Sequence, residues 1–328
     1  MLAVHVPSAR WPLDVVSLSR LMERTAGGRE VGVGLIDGSV AANHADLPIE
    51  SMRELPSPAA RPSDRAGGAA RAHGTFIAGI LSAKRGSAAP AICPGCTLLV
   101  RPIFLEPAPG SADTPSASPG ELAEAIVDCL EAGARILNLS VALATPSPNR
   151  EPKLEQALDH AAARGALVVA AAGNQATLGT SAITRHPAVI PVVACDHRGR
   201  PAAGSNLAAS IGRRGLMAPG EGIVSLKADG GMVTMSGTSA AVPFVTGAIA
   251  LLWSLFRSAP LAMVRSAVTG GLRSRSLSVV PRLLNAEEAH SFLAGRGRSI
   301  DRADARTGHP PPACWACNEP ILSTRGVR

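Results

Sequence analysis

Gly237-Thr238-Ser239-Ala240-Ala241-Val242-Pro243 opens an apolar run that continues to Leu252. The glycine reads as a turn, and the residues after it read as a long helix whose apolar length belongs in a core. Pro243 reads as a first-turn residue, where a missing N–H is tolerated. Ser239 therefore falls at the helix N-terminus, where free N–H groups and aligned peptide dipoles favour negative charge. That placement suits a nucleophilic hydroxyl with an oxyanion beside it. It also suits a plain capping serine.

Three other stretches supply partners for the hydroxyl. Residues 31–38 read as a short buried strand that ends in the carboxylate of Asp37, just before Gly38. Residues 72–80 place the imidazole of His73 at the start of a second, small-residue helix, and residues 167–174 form a buried strand that ends in the amide of Asn174. An Asp to orient, a His to accept a proton, an Asn to donate to an oxyanion and a Ser to attack are the parts of an acyl-transfer site.

With these motifs the chain resembles the subtilisin-like serine proteases (subtilases, peptidase family S8). The order Asp37, His73, Ser239 is that family's order, and the strand-Asp-Gly, His-Gly-Thr and Gly-Thr-Ser-x-Ala-x-Pro motifs are all present. The likeness covers residues 31–272, including Asn138-Leu139-Ser140 and Met217-Ala218-Pro219-Gly220. It implies a three-layer α/β fold, with a mainly parallel central sheet and helices on both faces. It also implies Asp37, His73 and Ser239 as catalytic residues and Asn174 at the oxyanion. A peptide substrate would bind as an extended strand against Ser140, Val141, Ala142, Ala172 and Gly173. Ala142 stands where the family commonly has glycine, so the adjoining subsite is expected to be narrower. No cofactor is implied. Asn43-His44-Ala45-Asp46-Leu47 resembles a family turn whose Asp can serve calcium, but residues 82–90 lack the usual oxygen ligands and carry Lys84 and Arg85, so no metal is expected.

The alternation of elements agrees. A strand is expected at 98–104, a helix at 121–132 opened by the Ser118-x-x-Glu121 capping pattern, and a strand at 135–141. A helix at 151–164 and strands at 166–171 and 186–195 come next, with His186 read as a turn residue. Such alternation predicts a parallel sheet with its site at the carboxyl ends of the strands. Gly32-x-Gly34 is not a dinucleotide motif, because both glycines lie inside a strand and no third glycine opens a helix. Residues 49–71 read as a mobile surface connector and 106–120 as a Pro/Ser/Ala loop at the rim of the groove. The 36 residues from Asp37 to His73 leave little room for an inserted lid. Residues 261–268 and 286–293 read as surface helices.

At 328 residues and 46% hydrophobic content, the chain suits one sizeable core. Three regions are expected: an N-terminal extension (1–30) with an amphipathic segment at 15–24, a peptidase domain (31–295), and an Arg/Pro-rich, partly disordered tail (296–328). The net charge of +7 comes from scattered arginines, and with only 2% aromatics there is no stacking platform for nucleic acid. No run of membrane-spanning length is read, 247–256 being too short. No signal peptide is visible, so a soluble, cytoplasmic protein is expected. Cys129 and Cys195 read as small buried hydrophobes. Zinc binding, disulfides and free thiols all stay open for the pairs Cys93/Cys96 and Cys314/Cys317. Among subtilases the likeness is to proteases that trim ribosomal peptide precursors, as in cyanobactin maturation. A general protein-degrading subtilase and a catalytically silent peptide binder are the alternatives.

Overall fold

Apolar strand residues alternate between two faces of one sheet, and each face is covered by its own helices. The computed structural model describes residues 10–57, 68–104, 116–141, 150–271 and 278–307, with side chains as far as residue 296. Residues 1–9, most of the 106–120 loop, Ala142, Cys314 and Cys317 lie outside the described residues. In chain order the elements begin with α1 (Trp11–Asp14), α2 (Leu18–Arg24), β1 (Gly32–Asp37), a single 3₁₀ turn (Ile49–Ser51) and β2 (Met52–Glu54). Next come α3 (Ala69–Ser82), β3 (Thr97–Pro102), α4 (Pro119–Glu131), β4 (Ala134–Leu139), α5 (Pro152–Ala163) and β5 (Leu167–Ala171). After these lie α6 (Ala182–Arg185), β6 (Val189–Cys195), α7 (Ala209–Arg214), β7 (Leu216–Pro219), β8 (Ile223–Leu226) and β9 (Met232–Met235). The last are α8 (Thr238–Leu255), α9 (Leu261–Thr269), β10 (Arg282–Leu283) and α10 (Ala286–Thr307).

Eight strands form a sheet in the order β10-β7-β6-β5-β4-β1-β3-β2, every registered pair parallel, while β8 and β9 make a separate antiparallel ribbon. Val33 and Leu35 of β1 join α2, α3 and α8 in one hydrophobic cluster, whereas Ile36 faces α4 and α5 in another. This two-residue alternation turns a continuous apolar strand into the middle of a three-layer fold. The glycines of β1 permit close layering. A Cβ on Gly34 would stand 2.8 Å from Leu137 Cδ2 and 3.0 Å from Cys129 Cβ of α4.

α8 is the hub of the first layer, with Phe244, Leu251, Leu252 and Trp253 all fully buried. By length and composition it could cross a membrane, at a mean hydropathy of 1.6 over 18 residues, which corrects the expectation that no run reaches that length. In this fold 83% of that window is buried, as expected of a core helix. Pro243 lies deeper than a first-turn position, because the helix begins at Thr238 and the proline is its sixth residue. The helix of His73 starts at Ala69, so the imidazole sits in the second turn rather than at the start. Gly68 caps that helix without any side-chain bond, so the sequence carries no start signal there.

Part of the expected 49–71 connector is ordered structure. β2 extends the sheet edge by pairing Met52, Arg53 and Glu54 with β3, and α3 takes over from Ala69. Toward the N-terminus, Val16, Leu18 and Leu21 are fully buried in the cluster that contains α8. Two compact units divide the chain, Met1–Leu293 and Ala294–Arg328. α10 continues past Arg296 to Thr307, so the tail expected to be partly disordered begins as helix.

Candidate active site

Two glycines bring a carboxylate and an imidazole together. β1 delivers Asp37, fully buried, to the carboxyl edge of the sheet. A Cβ on Gly74 would stand 2.5 Å from the carbonyl oxygens of both Gly38 and Ser39, and one on Gly38 would run into the backbone of Ala70. Without those side chains α3 settles directly on the end of β1. His73 Nδ1 then lies 2.7 Å from Asp37 Oδ1, which also accepts the Gly38 N–H at 2.7 Å. The next residue of the motif, Thr75, locks the joint: its hydroxyl accepts from the Ala41 N–H and donates to the Arg71 carbonyl. Asp37 Oδ2 is buried and has no hydrogen-bond partner among the described residues.

The His73 ring is 30% exposed at its side chain. Burial works to lower its pKa, but the charge of Asp37 and the hydrogen bond to it prevail and raise it above the ordinary histidine value. With Nδ1 engaged by the carboxylate, the tautomer is fixed, and Nε2 is the nitrogen free to take a proton.

Ser239 is the second residue of α8, and the cap is Gly237, which makes no side-chain cap bond. Ser239 is thus not a capping serine. Gly237 holds φ at 142°, a conformation that L side chains rarely adopt. Asn174 lies just past β5 and is pinned from the same turn: its Oδ1 accepts from the Thr238 N–H at 2.9 Å and from the Thr238 hydroxyl at 3.1 Å. An amide oxygen held by two donors leaves Nδ2 as the donor aimed elsewhere. The Ser239 N–H, in the first turn of α8, has no carbonyl acceptor within the helix.

Of the remaining residues of the expected site, Ser140, Val141, Ala172 and Gly173 share this rim. Leu139, the last residue of β4, is registered with Ile36 of β1 and Ala170 of β5, so Ser140 and Val141 emerge between Asp37 and Ala172-Gly173. The Ser140 hydroxyl points inward and donates to the Ser239 carbonyl at 3.0 Å. Asp37 is joined to His73, Ser140 to Ser239, and Asn174 to the residue before Ser239. His73 and Ser239 make no hydrogen bond to each other among the described residues; the one side-chain bond of the imidazole there is to Asp37.

The roles of two contributors were not legible in the sequence. Thr238, fully buried, orients Asn174 and also accepts from the Gly173 N–H at 3.2 Å. Asn206, 3% exposed, accepts from the backbone N–H groups of Gln175 and Thr177 and so braces the loop that carries Asn174. The only sequence signal for it is a polar Gly204-Ser205-Asn206 step between apolar segments.

The turn that could have served calcium is held by Lys84, whose Nζ donates to the Ala45 carbonyl at 2.7 Å while its N–H bonds Asp46 O. A second cation there would face a like charge, so these residues do not fit a calcium site. Cys93, Cys96, Cys129 and Cys195 are buried free thiols. Burial pushes both Cys129 and Cys195 up to about 12.

A parallel α/β sheet whose carboxyl rim carries a buried carboxylate–imidazole pair, a helix-terminal serine and a pinned amide has the architecture of an acyl-transfer hydrolase. The subtilase family profile matches residues 28–276, and the chain belongs to that family of serine proteases. It is 28% identical to subtilisin DY of Bacillus licheniformis over 259 residues, which is 77% of this chain and 88% of that protein. Among solved structures, the S218A mutant of the PatA protease domain is similar at 31% identity and a TM-score of 0.73, over 82% of this chain and 97% of that one. The prenylagaramide maturation protease PagA is similar at 28% identity and a TM-score of 0.72, over 85% and 98%.

Proposed function

We propose that the chain is a serine endopeptidase in which Asp37, His73 and Ser239 act as the catalytic triad, and that it trims a peptide precursor at a defined bond. The observation that carries the chemistry is the 2.7 Å contact between His73 Nδ1 and the buried Asp37, on the rim that also carries Ser239. Asp37 holds the His73 tautomer and steadies the imidazolium. His73 Nε2 removes the Ser239 proton as the oxygen attacks the scissile carbonyl, then returns it to the leaving amine. Asn174 Nδ2 and the Ser239 N–H donate to the tetrahedral oxyanion. Water then attacks the acyl-enzyme by the same steps. The substrate lies extended along Ser140, Val141 and Ala142 and faces Ala172 and Gly173 across the groove, pairing through its backbone.

Support for precursor trimming comes from the maturation protease PagA, a structural neighbour that this chain matches along nearly that protein's whole length. The test is to incubate the purified protein with short ribosomal precursor peptides and, separately, with casein, and to identify the products by mass spectrometry. One or two defined cuts in a precursor, with casein largely intact and no cutting by Ser239→Ala, is the expected outcome. Casein degraded at many sites would replace precursor trimming with general proteolysis.

A further inference from the structure

Behind Ser239 runs a buried chain of three side-chain hydrogen bonds that the triad chemistry does not use. The Thr246 hydroxyl donates to Asn138 Oδ1 at 2.9 Å, Asn138 Nδ2 donates to Ser140 Oγ at 2.8 Å, and the Ser140 hydroxyl donates to the Ser239 carbonyl at 3.0 Å. Thr246 and Asn138 are fully buried and Ser140 is 4% exposed. The direction of the chain is set by its last atom. A carbonyl oxygen can only accept, so Ser140 must donate to it; Asn138 must then donate to Ser140, and Thr246 to Asn138.

The reason for this chain lies in Pro243. In an α-helix the N–H of residue 243 would bond the carbonyl of residue 239, but proline has no N–H. The Ser239 carbonyl is therefore left without its helical partner, and a hydroxyl from the end of β4 takes that place. Ser239 ends up fixed on both sides. Asn174 holds the Gly237–Thr238 peptide, one step upstream, through the Thr238 N–H, and Ser140 holds the peptide after Ser239 through its carbonyl.

We infer that Thr246, Asn138 and Ser140 form a positioning relay that sets the backbone of Ser239, and with it the reach of the nucleophile and the aim of its N–H, in place of the hydrogen bond that Pro243 removes. This rests on Ser239 being the nucleophile. The relay begins and ends on α8 and passes through β4, so it references the serine to the same sheet that carries Asp37. A misplacement of about 1 Å in such a site can cost roughly 10²-fold in rate.

The test is a double substitution. Ser140→Ala should lower kcat by about 10- to 100-fold and leave KM within about twofold, because the substrate pairs with the backbone of residue 140, which the change keeps, while the lost hydroxyl bond orients the nucleophile. Ser140→Thr, which keeps the hydroxyl, should retain most of the activity. Pro243→Ala restores an N–H opposite the Ser239 carbonyl, so in the Ser140→Ala background it should recover most of the lost kcat. Thr246→Val, at the far end of the relay, should show a smaller kcat loss in the same direction, and it keeps the test open if Ser140→Ala does not fold. A folded Ser140→Ala protein with wild-type kcat and only a lowered melting temperature would overturn the relay while leaving the protease intact. So would a kcat loss that Pro243→Ala fails to repair. A folded wild-type protein inert toward peptides and active-site probes would remove the nucleophile assignment, and the relay with it.

Discussion

Asn174 Oδ1 accepts both the backbone N–H and the hydroxyl of Thr238, at 2.9 and 3.1 Å, one residue before the serine proposed to attack. The helix that presents the serine thus also aligns the amide proposed to stabilise its oxyanion. Asn174→Ala should lower kcat by about 10²- to 10³-fold, the size established for an oxyanion donor of this type in subtilisin. Thr238→Val keeps the side chain's shape and removes one of the two bonds to Oδ1. Its kcat loss should be smaller, roughly tenfold, and steady-state kinetics on one peptide would separate the two variants.

The Asp37–His73 pair fixes the sign of the pH dependence. His73 is useful as a base only when neutral, and its pKa is raised above the ordinary histidine value. kcat/KM should therefore rise with pH through that raised pKa and fall away below it. Asp37→Ala removes the charge and the hydrogen bond that raise the pKa, and leaves the burial that lowers it. Residual activity, down by about 10⁴-fold, should then show its acidic limb at lower pH than the wild type. An unmoved limb would mean that another group governs it.

Close backbone approach makes a second class of residue indispensable. Gly38→Ala would drive a methyl group into the backbone of Ala70 and push α3 off the end of β1. The expected result is a loss of about 10²-fold or more in kcat/KM together with a lowered melting temperature. Kinetics and thermal unfolding on the same sample would show both.

Thiol chemistry offers a check on the core that is independent of catalysis. With pKa values of about 12 and no more than 1% exposure, Cys129 and Cys195 should resist iodoacetamide at pH 8 in the native protein. Both should label fully in guanidinium. Peptide mapping would report each site, and rapid native labelling of either would contradict the packing of α4 or β6.

The catalytic candidates were legible because backbone constraints bracket each of them. Gly38, Gly74, Gly173 and Gly237 are required by close approach or positive φ, and each sits within two residues of Asp37, His73, Asn174 or Ser239. The start of α4 was legible for a similar reason: Ser118 and Glu121 do form the reciprocal capping bonds. β2 and β10, three and two residues long, are too short for any periodicity to show, and only their partners in the sheet define them. The roles of Thr238, Asn138 and Thr246 could not be read for another reason. Thr238 and Asn138 show only as motif members and Thr246 as one polar residue in an apolar run, and the bonds that give them meaning reach 64 or 108 residues along the chain.

Peptide-bond cleavage by this protein requires Ser239 to be a nucleophile made reactive by His73. Intact-mass spectrometry after exposure to a small alkyl fluorophosphonate tests this directly. One adduct, mapped to Ser239, absent in Ser239→Ala and formed far more slowly in His73→Ala, is the predicted result. A correctly folded wild-type protein that takes up no adduct, or takes it up on another serine, would contradict the account.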